Sequence, residues 1–310
     1  MELVEKINCN KWKSLCDWTF DAPDYNAPTY CCVVYVPMDQ IDKFFSYAEE
    51  VDGEDSPLNF IVVSANSDYG ISYQREHPIW FDMKKWLDFI PIDNSLGYNP
   101  LISPARCNLA ECKESDKYSI KMHSFTKATF KRIPRCITHW FCTNCDIEDS
   151  RVTPIPFGIP DWSEKLINKV EEENRNIGFY LNFQNNTAER THLKPRFRNV
   201  ENFKVIDEEI SHEDYINNLY KSIYVPCPSG NGLDTYRVLE TIYCGAVPIL
   251  PTSRWTKAYK NLPVITINNF AWLPKIAEDN GYQVFDSDLE NSPADFNYWR
   301  AMVDAAKKKL

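Results

Sequence analysis

The sequence predicts an α/β protein of two domains, and three observations predict it. The chain has 310 residues, roughly two domains at about 150 residues each. Short β-branched apolar runs alternate with amphipathic or polar stretches at the spacing of βαβ units. Near the middle, Gly158-Ile-Pro-Asp punctuates the chain before a charged helical stretch. A composition of 44% hydrophobic and 25% charged residues is that of a globular chain, which excludes disordered and fibrous classes.

In the first half, Tyr30–Val36 (YCCVVYV) and Phe60–Ser64 (FIVVS) are apolar runs ending in turn residues, as expected of buried parallel strands. Lys84–Phe89 and Phe125–Arg132 read as weaker helical or mixed segments, and Cys136–Phe141 and Val152–Phe157 as strands. The Ser163–Asn176 helix opens the second half, followed by a strand at Gly178–Phe183 and a polar turn rich in Asn, Thr and Arg. Strands at Phe203–Ile206, Ile223–Pro226, Ala246–Leu250 and Val264–Ile267 then alternate with helices at His212–Lys221, Leu233–Cys244 (closed by Gly245) and Ala271–Asn280. Ala294–Leu310 reads as a last helix, with Trp299, Met302 and Val303 on one side. The expected division is 1–162, 163–290 and a C-terminal helix 291–310 packing back on the first domain.

The net charge is −10. No run of about 18 uncharged apolar residues occurs, so no membrane span is expected. The charged amino terminus lacks the apolar stretch of a secretion signal. Eleven cysteines, an odd number without framework spacing, read as reduced thiols and a cytoplasmic setting. Cys136, Cys142 and Cys145 with His139 form no second Cys-x-x-Cys pair, so structural zinc is not expected. Two acid-free basic islands, Lys117–Cys145 and Arg190–Arg198, offer places for an anionic ligand in an acidic chain, the first reading equally as a solvated face.

The richest chemical signal is Ser229-Gly-Asn-Gly-Leu-Asp-Thr-Tyr-Arg-Val-Leu-Glu240. Gly230 and Gly232, with Asn231 between them, let backbone approach a ligand closely, and the helix start behind them offers free N–H groups to phosphate oxygens. Arg237 and Glu240 lie three apart on one helix face. Arg237 can clamp a diphosphate and Glu240 can accept from ribose hydroxyls, or the two can form a surface ion pair. The pattern is neither a Walker loop nor a GxGxxG fingerprint. Asp234 reads as a helix cap.

Tyr224–Leu250 resembles the donor-binding motif of the exostosin-like glycosyltransferases, with Gly230, Gly232, Asp234, Arg237, Glu240, Gly245 and Pro248 matching. Tyr236 stands where that family usually has His, and Leu239 where Trp is common. Phe60–Tyr69 resembles the family's HNSD segment, with Ala65 in place of His. His139-Trp-Phe-Cys-Thr-Asn-Cys with Pro154-Ile-Pro-Phe-Gly-Ile resembles its WFxxN…PIPxG segment, and Phe179–Arg190 the opening of its carboxy domain. The resemblance implies a GT-B fold, with two facing Rossmann-like domains, an interdomain cleft and a nucleotide-sugar donor, UDP-linked, held by the second domain.

Within that frame Asn185, Thr187 and Arg190 are expected to hold the diphosphate along with Arg237, Ser229 is expected in the donor site, and no metal or other cofactor is expected. Asp68 is the candidate general base, with Asn66 and Tyr69 on the acceptor side and His77 as rival base. Asp68 reads equally as an Asx-turn residue. Asp286-Ser-Asp288 matches a metal-binding Asp-x-Asp but follows the last strand. The expected acceptor is a saccharide hydroxyl. A hydroxymethylated DNA base, as in viral and phage enzymes acting in the host cytoplasm, is the alternative, and a silent nucleotide-sugar or glycan-binding module is the reading from another class.

Overall fold

The computed structural model describes residues 4–20, 30–52, 58–65, 73–82, 119–127, 133–167, 175–185, 187–230, 232–281 and 288–310, with the backbone alone for 73–82 and 119–127. These residues form an α/β protein with two five-stranded sheets, each parallel throughout.

The first sheet runs β1 (Trp18–Thr19), β2 (Cys32–Tyr35), β3 (Phe60–Ser64), β6 (Ile137–Cys142), β7 (Val152–Pro154), in that spatial order. Its central strands β2 and β3 are buried on both faces and alternate between two cores. Cys32, Val34, Phe60 and Val62 pack with helix α1 (Ile41–Val51) through Phe44, Phe45 and Ala48. Val33, Tyr35, Ile61 and Val63 face the core shared with the second half of the chain. Helix α1 has its apolar residues at Ile41, Phe44, Phe45 and Ala48, the i, i+3, i+4, i+7 stripe of an amphipathic helix. Between β3 and β6 the chain makes an antiparallel pair, β4 (Tyr73–Asp82) with β5 (Ser119–Lys127). Residues 125–127 are therefore strand rather than helical or mixed, because they pair with β4. Lys84–Phe89 lies outside the described residues.

Helix α2 (Asp161–Ile167) leads into the second sheet, whose order is β12 (Ile265–Ile267), β11 (Val247–Pro251), β10 (Ser222–Pro226), β8 (Ile177–Asn182), β9 (Phe203–Ile206). Four helices alternate with these strands: α3 (Ala188–Phe197), α4 (His212–Tyr220), α5 (Tyr236–Tyr243) and α6 (Leu273–Asn280). The stretch after β8 is thus a helix where the sequence reads as a polar turn. Thr187 caps it by accepting from the Arg190 N–H at 3.2 Å, and Pro195 falls in its last turn. Helix α7 (Phe296–Lys307) packs on the amino-terminal segment. Trp12 meets Phe296 and Trp299 edge-on at 5.5 and 6.2 Å, the Phe296 N–H donates to Glu5 O, and Lys307 contacts Asp17. Among the described residues no helix is long and apolar enough to cross a membrane, and every described cysteine is a free thiol.

Candidate functional site

The two sheets differ in one respect that decides where a ligand fits. In the first, described strands follow one another across the sheet in sequence order. In the second, the order reverses between β8 and β10, since β9 lies outside β8 while β11 and β12 lie beyond β10. Crossovers that leave to opposite sides open a crevice at the carboxyl ends of the two central strands. A cavity of about 620 Å³ lies there, lined by Phe183 and Asn185 after β8, Gly230 and Gly232 after β10, and Arg237 on α5.

Three cations converge on one aromatic ring at its wall. The Arg190 and Arg237 guanidinium carbons and the Lys194 Nζ each lie 5.5 Å from the Phe183 ring centre. Arg237 also lies 5.3 Å from the Tyr215 ring. Arg190 and Lys194 are one helical turn apart on α3, so both reach the same side. Arg190 donates to Pro228 O at 3.0 Å, and Lys194 donates to Ile206 O at 2.9 Å. Burial, then the nearby Arg237 charge, lowers the Arg190 pKa to about 9. Burial is also the main cause lowering that of Lys194, which Asp207, 3.8 Å away, opposes. Arg237 Nε and Nη1 and the Thr235 hydroxyl are buried without hydrogen-bond partners. Thr235 is the N-cap of α5, yet its side chain makes no cap hydrogen bond. Residues of the cavity wall therefore hold buried unsatisfied donors and positive charge at a helix start, which together suit an anion.

Gly230 explains part of this geometry. A Cβ there would lie 2.6 Å from Arg190 Nη2 and 3.0 Å from its Cζ. The absence of a side chain is what lets the buried guanidinium pack against the turn.

Of the residues singled out from sequence, Asn185, Arg190, Gly230, Gly232, Asp234, Arg237 and Glu240 line this cavity. Thr187 and Ser229 do not. The Thr187 hydroxyl serves the start of α3, and the Ser229 hydroxyl donates to Leu233 O at 3.1 Å. Both carboxylate oxygens of Glu240 are already engaged. One accepts from the Ser163 hydroxyl on α2 and the other from the Tyr215 hydroxyl at 2.8 Å. Asp234 does not cap α5 with its side chain. It accepts from the Phe157 and Thr235 N–H groups and from the Tyr259 hydroxyl. Asn66, Asp68, Tyr69, Asn231 and Asp286 lie outside the described residues, and His77 falls on β4. Among the described residues no group of three His, Cys, Asp or Glu could hold a metal ion.

The sequence places Lys194 in a basic island able to meet an anion, but it does not single out Thr235 or the aromatic pairs at the rim. The Trp162 and His212 rings stack at 3.9 Å, and the Phe157 and Tyr236 rings meet at 5.0 Å. The i, i+4 spacing of Arg190 and Lys194 is a usable signal once the polar stretch is read as a helix. No protein-family model matches the chain, and a search of curated proteins returns no match either.

Proposed function

We propose that the chain is a glycosyltransferase of GT-B type, related to the exostosin-like family. In this reading it transfers a sugar from a nucleoside-diphosphate donor, UDP-linked, to an acceptor hydroxyl. The observation that carries the reading is the set of buried, unpartnered donors on Arg237 and Thr235, beside Arg190 and Lys194, at the switch point of a doubly wound sheet. Phosphate oxygens satisfy such donors. The same cations stabilise the charge that builds on the diphosphate leaving group as the glycosidic bond to it breaks. Asp68, following β3, is the proposed base that takes the acceptor proton. The proposed acceptor is a saccharide, with a hydroxymethylated DNA base as the alternative.

The test is a thermal-shift panel of nucleotides and nucleotide sugars on the wild type and Arg237→Ala. A shift with uridine nucleotides that disappears in the variant supports the donor site. No shift with any nucleotide contradicts it. One observation favours a second reading, a nucleotide-sugar-binding module without transfer. Glu240, the residue expected to hold the ribose, has both oxygens occupied by Ser163 and Tyr215. Measurable donor hydrolysis or transfer, lost in Asp68→Ala, excludes that second reading.

A further inference from the structure

Two segments of the first half meet on the glycine turn of the second. Asn144, after β6, is 1% exposed and holds a left-handed backbone at φ 52°. Its Oδ1 accepts from the Asp234 N–H at 2.6 Å. Phe157, after β7, donates its N–H to Asp234 Oδ2 at 2.9 Å. The Tyr259 hydroxyl donates to the same oxygen at 2.6 Å, and the Thr235 N–H donates to Oδ1 at 2.7 Å. Asp234 is itself 2% exposed and stands between Gly232 and Thr235, both on the cavity wall. The turn that shapes the cavity is therefore held from outside by the first domain. The halves also share a buried apolar core, the Ile7 N–H donates to the Tyr243 hydroxyl at 2.8 Å, and Arg254 and Lys257 reach Glu148 as exposed ion pairs at 3.6 Å, weak in water. The Asn144–Asp234–Phe157 bonds are shielded from solvent, where each counts for more.

We propose that Asn144 and Asp234 are a positioning pair that couples the nucleotide cavity to the contact between the two domains. The first domain holds the turn in its binding geometry, so ligand affinity depends on that contact. By reciprocity, ligand binding strengthens the contact. The proposal rests on the donor-site reading above.

Asn144→Gly tests it, because glycine keeps the left-handed backbone and Asn144 does not line the cavity. The probes are uridine diphosphate, adenosine diphosphate and inorganic pyrophosphate, titrated by calorimetry. The expected result is affinity about tenfold weaker than wild type, the effect of losing one buried hydrogen bond. Hydrogen exchange at the Thr143 amide, bonded to Ser64 O within the first domain at 2.9 Å, is expected to slow on binding in the wild type and not in the variant. Tyr259→Phe, which removes a donor to Asp234 from outside the cavity lining, is expected to weaken the same probes. Tyr259 lies in the second half, so if Asn144→Gly does not fold the coupling is tested by Thr143 exchange in the wild type, expected to slow on adding the probes and to stay unchanged if there is no coupling. Wild-type binding with unchanged affinity in the folded variants, and equal Thr143 exchange, overturns the coupling alone. Failure of the wild type to bind any probe overturns the donor-site reading and the coupling with it.

Discussion

Asp234 gives the chain a pH dependence of stability that runs opposite to that of an ion-paired surface carboxylate. Burial raises its pKa from 3.8 to about 7, against the opposing pull of the hydrogen bonds from Tyr259, Phe157 and Thr235. Between those values the folded chain binds this proton and the unfolded chain does not. Stability from this group is therefore complete below about pH 4 and is lost as pH rises through about 7. At 1.36 kcal/mol per pKa unit, the full swing is roughly 4 kcal/mol, a large share of the total stability of about 5–15 kcal/mol usual for a folded domain. Asp234→Asn stays neutral at every pH, and its Nδ2 faces one of the N–H or O–H groups that donate to the acid, a cost that does not vary with pH. The stability difference between the variant and the wild type is expected to shift by roughly 4 kcal/mol in the variant's favour between about pH 4 and about pH 8. Urea midpoints of both proteins across that range measure the difference. Burial also raises Glu189, to about 7, and Glu240, but both are present in the two proteins and drop out of the comparison. A difference that does not change with pH would refute the reasoning, because it would mean Asp234 is charged throughout.

Two glycines give further tests. Gly158 has φ +96°, and a Cβ there would lie 2.7 Å from Cys9 N and 2.8 Å from Cys9 Cα. Gly158→Ala should cost about 3 kcal/mol or more in denaturant unfolding, since both the backbone angle and the space are wrong for a side chain. Gly230→Ala should leave the fold intact and displace the Arg190 guanidinium, weakening pyrophosphate binding about tenfold by calorimetry, as for the loss of one charge-assisted bond.

Much of the second sheet is legible in the sequence because its strands are short apolar runs separated by polar or turn-forming stretches. The expected strands at Phe203–Ile206 and Ile223–Pro226 match β9 and nearly match β10. Helix α3 is hidden by its composition. Its residues are mostly polar, Pro195 sits inside it, and it reaches the core through Leu193 and Phe197. Helix α1 carries a clear apolar stripe, so its absence from the sequence reading reflects an overlooked period rather than a missing signal. In the site, the glycine turn and Arg237 are visible locally. The roles of Asp234 and Glu240 are not, because their partners Phe157, Tyr259, Ser163 and Tyr215 lie 25 or 77 residues away in the chain. A carboxylate expected to meet a ligand is instead satisfied by tertiary neighbours that no local pattern names.

The central claim is that Arg237 and its neighbours bind a nucleoside diphosphate, and the most direct measurement is nucleotide-dependent stabilisation of the wild type beside Arg237→Ala. A specific ligand at a hundredfold excess over its Kd stabilises the fold by about 2.7 kcal/mol. Uridine diphosphate is expected to produce a shift of this order in the wild type and none in Arg237→Ala. Equal shifts in both proteins, or no shift in either, would contradict it.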